Sequence, residues 1–277
     1  MTLIYITLLH KIKTINAVLL IKMKFIDVLF NKATIPLPGI LKQLSIGDGY
    51  EAVGKEFFHY FITLGELKPE EKVLDVGCGC GRMAVPLTTY LHEPGYYRGF
   101  DITRKNVDWC KKNITRKYPH FLFEHANIFN KEYNARGTLK SKKYMFPYAD
   151  NTFDFIFLTS VFTHMLPEDM EHYFSEISRT LRSGGRCFIT FFLLNEESRA
   201  LMNEKPQLLD FRFGEGVYQA INQTVPEKAI SFDESYIRQL YAKNNIRIQD
   251  PVRYGSWCGR TSFLSSQDII IGVKKES

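Results

Sequence analysis

Glycines stand at alternate positions, Gly77, Gly79 and Gly81, in the run VLDVGCGCGR over residues 73–82. Alternate glycines remove side chains where backbone must approach a bound ligand, and a helix opening just after them adds unpaired N–H groups. Such a loop cradles a cofactor. It is not the dinucleotide fingerprint, because Arg82 holds the place of the third glycine, and it lacks the lysine and hydroxyl of a phosphate loop. Two carboxylates and an amide extend the pattern. Asp75 precedes the loop, Asp101 closes the next apolar run, and Asn127 follows the third, in EHANI. An acid in the second place can accept hydrogen bonds from both hydroxyls of a ribose, and a polar group in the third can reach an adenine edge.

Other residues have the chemistry to handle a second ligand. His164, in SVFTHM, follows the fourth apolar run and can accept a proton near neutral pH; the alternative is a histidine packed under a loop and bonded to backbone. Tyr50, in GDGYEAVG, is a candidate for the pocket wall or a plain hydrophobic anchor. Trp257 and Arg260, in GSWCGR, either clamp a planar or anionic acceptor or belong to a hairpin with the indole tucked beneath it. The five cysteines are odd in number, with Cys78 and Cys80 one residue apart, so no disulfide framework is expected. One C-x-C among scattered histidines does not make a metal site either. A reducing, cytoplasmic compartment is inferred.

The elements that position these residues read as an α/β fold. Short apolar runs separated by helical patterns signal βα units and a parallel sheet. Strands are expected over 72–76, 96–101, 121–126, 153–159 and 186–192, with helices over 82–91, 104–118 and 168–182 between them. Pro167 suits a first helical position, and Gly184–Gly185 are placed to stop that helix. An earlier helix over 51–64 sets Val53, Phe57, Phe58, Phe61 and Leu64 on one side, with Gly65 to end it. After residue 192 the text loosens: 195–204 is helical and 205–230 irregular, and then the box Ser231 with Glu234 opens a helix to Lys243. Strands over 246–249 and 268–273 close the sheet. The long stretches 127–150 and 195–230 are where substrate-specific structure is expected.

On these motifs in this order the chain resembles the class I S-adenosylmethionine-dependent methyltransferases. The matching text is VLDVGCGCGR, the acid Asp101, FPYADNTFDFIFLTSVFTHM over 146–165 and LRSGGRCFIT over 181–190. The resemblance implies a Rossmann-like methyltransferase fold, a seven-stranded, mostly parallel sheet with helices on both faces. It implies S-adenosylmethionine as cofactor, with Asp75, Gly77, Cys78 and Gly79 around the methionine part, Asp101 on the ribose, Asn127 and Ile128 at the adenine, and Thr159 beside the methionine moiety. Residues 1–49 would be an extension and lead-in, and 50–277 the methyltransferase domain with a capping insertion over 195–230.

Composition sets bounds on partners. The chain has 277 residues, 45% hydrophobic and 24% charged, which suits a folded globular protein. Its net charge of +6 is uneven: 12 basic and 4 acidic residues fall between Arg98 and Lys143, leaving −2 for the rest. That region can attract phosphates, although a solvated helix face explains most such runs. The N-terminal segment has no charge-free run near the roughly 20 residues of a membrane span. Its Lys11 and Lys13 follow the first apolar run instead of preceding it, unlike a secretion signal. An added amphipathic helix, or a true start at Met23, is expected there, and no membrane partner. The fourth run ends in LTSV, without the N/D-P-P-Y/F motif of adenine amino-methylation; no Pro-Cys pair offers a cytosine nucleophile, and no carboxylates cluster for metal-assisted catechol chemistry. The expected function is methyl transfer to oxygen or nitrogen of a small molecule. The alternatives are an RNA or protein methyltransferase and a non-catalytic binding module.

Overall fold

The computed structural model describes residues 35–36, 38–39, 47–204 and 209–276. The expected N-terminal extension and most of the lead-in lie outside the described residues. Helix α1 (Gly47–Thr63) is followed by β1 (Lys72–Val76), α2 (Ala84–Leu87), β2 (Tyr96–Asp101), α3 (Arg104–Cys110), β3 (Phe121–His125) and β4 (Phe153–Leu158). Then come α4 (Pro167–Thr180), β5 (Leu181–Phe191), β6 (Leu193–Leu194), α5 (Glu196–Glu204), β7 (Tyr218–Ala220), β8 (Ile230–Asp233), α6 (Glu234–Lys243), β9 (Ile246–Ile248) and β10 (Asp268–Lys274).

Seven strands form one sheet in the order β3-β2-β1-β4-β5-β10-β9, with β10 antiparallel to both its neighbours and the other pairings parallel. Parallel strands are covered on both faces and so are apolar on both. Val73, Tyr97, Phe155, Phe157 and Phe188 meet Phe57, Phe58 and Phe61 of α1, Leu87 of α2 and Val107 of α3. Their neighbours along the strands, Leu74, Val76, Phe100, Ile156 and Ile189, face Met170, Phe174 and Ile177 of α4 and Ile237 and Leu240 of α6.

Several boundaries differ from expectation for local reasons. Gly65 does not supply the left-handed residue after α1; Glu66 does, at φ 52°, while a Cβ on Gly65 would sit 2.8 Å from the Phe155 ring. Helix α2 keeps only four residues because Thr88 and Thr89 turn their hydroxyls onto the carbonyls of Val85 and Pro86, at 2.7 and 3.1 Å. Helix α3 widens into a π turn over Lys111–Thr115, where Asn113 Nδ2 donates to the Trp109 carbonyl at 2.8 Å. Gly184–Gly185 do not end α4. That helix stops at Thr180, Leu181 already pairs with Phe153, and the glycines fall in an irregularity of β5 between the Phe153 and Phe155 registers.

The larger departure is a second sheet, β6-β8-β7, whose strand β7 lies in the stretch expected to be irregular. Ser231 lies in β8 and bonds the Gln219 carbonyl at 3.1 Å, so it does not cap α6; Asp233 occupies that position.

Phe61 is the point where α1 meets the sheet. It is fully buried, with ring centroids 4.4 Å from Phe157, 5.1 Å from Phe188 and 5.6 Å from Phe155. Phe61→Ala leaves a void that these rings cannot close, and unfolding by denaturant should show a loss of about 3–5 kcal/mol.

Candidate active site

The chain leaves β1 toward β2 on one side, while β4 pairs on the other, so the carboxyl ends of β1 and β4 flank a crevice where such sheets bind ligands. The glycine loop bends over it. The N–H groups of Gly77 and Cys78 both donate to the Phe100 carbonyl, at 2.9 and 3.0 Å. Asp101 then secures the loop: its Oδ2 accepts the Gly79 N–H at 2.9 Å and its Oδ1 accepts the Thr103 N–H at 2.7 Å. The glycines serve different needs. A Cβ on Gly77 would lie 2.5 Å from Val161, whereas Gly79, at φ +51°, has open space around its Cβ direction. That open side is a cavity of about 530 Å³.

Of the residues singled out from sequence, Tyr50, Asp75, Gly77, Cys78, Gly79, Asp101, Ile128, Thr159 and His164 all line this cavity. Tyr50 is both wall and anchor, buried with its hydroxyl donating to the Cys80 carbonyl at 2.9 Å. Asn127 does not reach the cavity. Its Nδ2 donates to Thr138 Oγ1 at 3.1 Å and its Oδ1 accepts from Asn134 at 3.3 Å, so it braces the loop that follows β3.

Trp257 and Arg260 also lie elsewhere, which corrects their expected place on the acceptor. Both are buried around the fully buried Asp268. The indole donates to Asp268 Oδ2 at 2.7 Å, and Arg260 reaches Asp268 Oδ1 at 3.3 Å and Glu197 at 2.7 Å. The N–H groups of Leu193 and Gly255 complete the shell of Asp268, each at 2.7 Å. An unpaired charge inside a protein is costly, so Asp268 collects these donors, and the cluster joins β6, α5, β10 and the β9–β10 connection. The available signal was Asp268 itself, a carboxylate opening the apolar run DIIIGV.

Burial governs the ionisable groups. It pushes Asp75 up to about 8, against the pull of the Tyr97 hydroxyl, which donates to Oδ2 at 2.5 Å; Asp101 nearby adds to the rise and Arg82 opposes it. The other oxygen of Asp75, Oδ1, is buried and has no partner among the described residues. Asp101 is also raised by burial, with the Thr103 and Gly79 N–H bonds opposing. Cys80 is pushed up to about 11, chiefly by burial, so it remains a thiol at neutral pH and is not a primed nucleophile.

Three wall residues had no readable signal. Ser160, just past β4, takes the left-handed conformation at φ 57°, held by its N–H to Thr190 Oγ1 at 2.8 Å and its hydroxyl to Gln267 at 3.1 Å. That kink turns Thr159 and Ser160 into the cavity. From the loop after β3, Asn130 donates to the His164 carbonyl at 3.0 Å, and Tyr133 places its hydroxyl 3.4 Å from His164 Nε2. His164 Nδ1 lies 2.8 Å from the Glu227 carbonyl, which only accepts, so the proton belongs on Nδ1 and the Nε2 lone pair faces Tyr133 and the cavity. Burial lowers the His164 pKa, which keeps the ring neutral at physiological pH. The stretch 195–230 contributes no lining residue; its Glu227 carbonyl fixes the ring from behind. Among the described residues no group of three or more histidines, cysteines or acids could hold a metal ion, and no helix is long and apolar enough to cross a membrane.

Residues 74–189 match the family described as a methyltransferase domain. The chain is 29% identical over 154 residues to phosphoethanolamine N-methyltransferase 3 of Arabidopsis thaliana, covering 55% of this chain and 28% of that protein. It is 28% identical over 120 residues to the tRNA N(3)-cytidine methyltransferase METTL2 of Gallus gallus, covering 43% and 29%. The match thus spans under a third of either relative. Among solved structures, magnesium protoporphyrin IX methyltransferase from Synechocystis PCC 6803 superposes with a TM-score of 0.52 at 15% identity, over 87% of this chain and 89% of that one. Residues 74–189 thus match a methyltransferase domain, and the sheet order β3-β2-β1-β4-β5-β10-β9 gives the chain the fold of that solved methyltransferase.

Proposed function

We propose that this chain transfers a methyl group from S-adenosylmethionine to oxygen or nitrogen of a small-molecule acceptor. The observation that carries this reading is the pair of buried carboxylates at the crevice, Asp75 with an orphaned oxygen and Asp101 at the lip of an open glycine. An orphaned, buried carboxylate oxygen calls for a donor, and a cationic one fits best. Each oxygen of Asp101 accepts one N–H and keeps a second lone pair, enough for one ribose hydroxyl apiece. Ile128 remains for the adenine; Asn127, committed to Thr138 and Asn134, does not.

The cofactor supplies an electrophilic methyl carbon on a sulfonium. The protein's part is to align the acceptor and remove its proton. His164 Nε2 would take the proton that the acceptor's oxygen or nitrogen gives up on methylation, and the Glu227 carbonyl would stabilise the imidazolium through Nδ1–H. Tyr50, Tyr133 and His164 crowd the cavity and favour a small acceptor, in keeping with the relative named for phosphoethanolamine. The described cysteines are all free, which suits a reducing, cytoplasmic compartment.

Calorimetric titration should show binding of S-adenosylmethionine and not of NAD. Release of S-adenosylhomocysteine in the presence of small amines or alcohols identifies the acceptor; binding without any product supports the binding-module alternative, and product with RNA or protein alone supports the other. Asp101→Ala should weaken cofactor binding by about 1.5–3 kcal/mol, and unchanged affinity would remove Asp101 from the ribose. His164→Ala should lower turnover by about 10²–10⁴-fold with cofactor affinity near normal; full turnover would leave His164 a packing residue. Below about 8 the carboxyl of Asp75 is protonated in the free protein, and a bound cation favours its ionised form. Cofactor affinity should therefore rise as pH climbs toward about 8, with proton release seen in buffers of different ionisation enthalpy, and Asp75→Asn should flatten that dependence.

A further inference from the structure

The loop between β3 and β4 has a surface unlike the rest of the molecule. It is firmly built: the Asn127 carbonyl accepts the Thr138 and Leu139 N–H groups at 2.9 and 3.0 Å, Phe129 N–H donates to the Leu139 carbonyl at 2.8 Å, and Asn134 Nδ2 donates to the Ile128 carbonyl at 2.9 Å. Yet it exposes large apolar side chains, Phe129 at 46%, Tyr133 at 52%, Leu139 at 45% and Met145 at 66%. These are half of the eight exposed large hydrophobic residues among the described ones, on a segment of 17 residues. Over 127–145 there are five cations and one acid. Lys131 is tied to the Thr224 carbonyl and Lys142 to Glu168, whereas Arg136, Lys140 and Lys143 have no acidic partner among the described residues.

A loop held rigid with its apolar residues outward and free cations between them matches an interface that is apolar below and negatively charged at its surface. We propose that the loop 127–145 docks this protein on an anionic lipid bilayer. Phe129, Leu139 and Met145 enter the acyl boundary, while Lys140 and Lys143 reach back along flexible stems to lipid phosphates. An RNA backbone would also attract the cations, and its bases could stack on Phe129 and Tyr133, but Leu139 and Met145 offer no flat ring and would be left without partners. The same loop lends Ile128, Asn130 and Tyr133 to the cavity, so a docked protein would present its cavity mouth to the membrane. Against the expectation of no membrane partner, which considered spans and leaders alone, this contact needs neither.

The test is sedimentation of the full chain with vesicles of phosphatidylcholine alone and of phosphatidylcholine with phosphatidylserine. Binding to the serine-containing vesicles that weakens at high ionic strength is expected. The doubles Phe129→Ser with Leu139→Ser, and Lys140→Glu with Lys143→Glu, should each lower vesicle affinity at least tenfold. Phe263→Ser with Leu264→Ser, exposed elsewhere, should not. Unchanged S-adenosylmethionine titration by the variants reports that they fold. Because vesicle binding is read without cofactor or acceptor, its failure is separable from failure of the methyl-transfer reading. No binding, binding that survives both loop doubles, or binding by the same residues to an RNA oligonucleotide and not to vesicles would each overturn the proposal.

Discussion

The carboxylate of Asp101 is the interaction on which the site's architecture turns. It ends β2, and with its two oxygens it takes the Gly79 N–H of one loop and the Thr103 N–H that precedes α3. Two backbone segments from different βα units are thereby held to one side chain. Without such an acceptor, the bend after β1 would leave a buried N–H unpaired, and the open face of Gly79 would have no fixed direction. A group that orders the loop before any ligand arrives also reduces what binding must order, because the receptive shape already exists. The cost is a carboxylate held in a poorly solvated place, visible as its raised pKa.

Much of this was legible in sequence because parallel sheets write themselves plainly. Strands buried on both faces become apolar runs, and the expected ends of β1 and β2 coincide with those observed. Glycine spacing and the acids at strand ends pointed to Asp75, Gly77, Gly79 and Asp101 of the cavity wall, since these features lie near one another along βα units. What failed was information carried by distant neighbours. The pattern Ser231 with Glu234 has the spacing of a helix cap, but the carbonyl of Gln219 claims the serine and pairing with β7 makes that stretch a strand. Strands of two to four residues, as in the second sheet, are too short for periodicity to register. Tyr133 meets His164 only because a loop folds back, and no local pattern foretells that.

Trp257 and Arg260 teach a related lesson. Their side-chain types are those that bind ligands well, and for the same reason they satisfy a buried acid well. In the fold the demand of Asp268 is local and obligatory, whereas an acceptor would offer only an occasional partner. The result is a polar cluster bounded by Phe192, Phe211 and Trp257 that joins the small sheet to the large one. Such a cluster fixes orientation more than it adds stability, since ion pairs taken from water recover little net energy.

The contact that orients His164 is made by a peptide carbonyl, at Glu227, and not by a side chain. A carbonyl is the same whatever residue bears it. The segment 195–230 can therefore vary in composition while the imidazole keeps its tautomer, provided that the backbone path persists. The orientation of the ring is thereby separated from the identity of the surrounding surface.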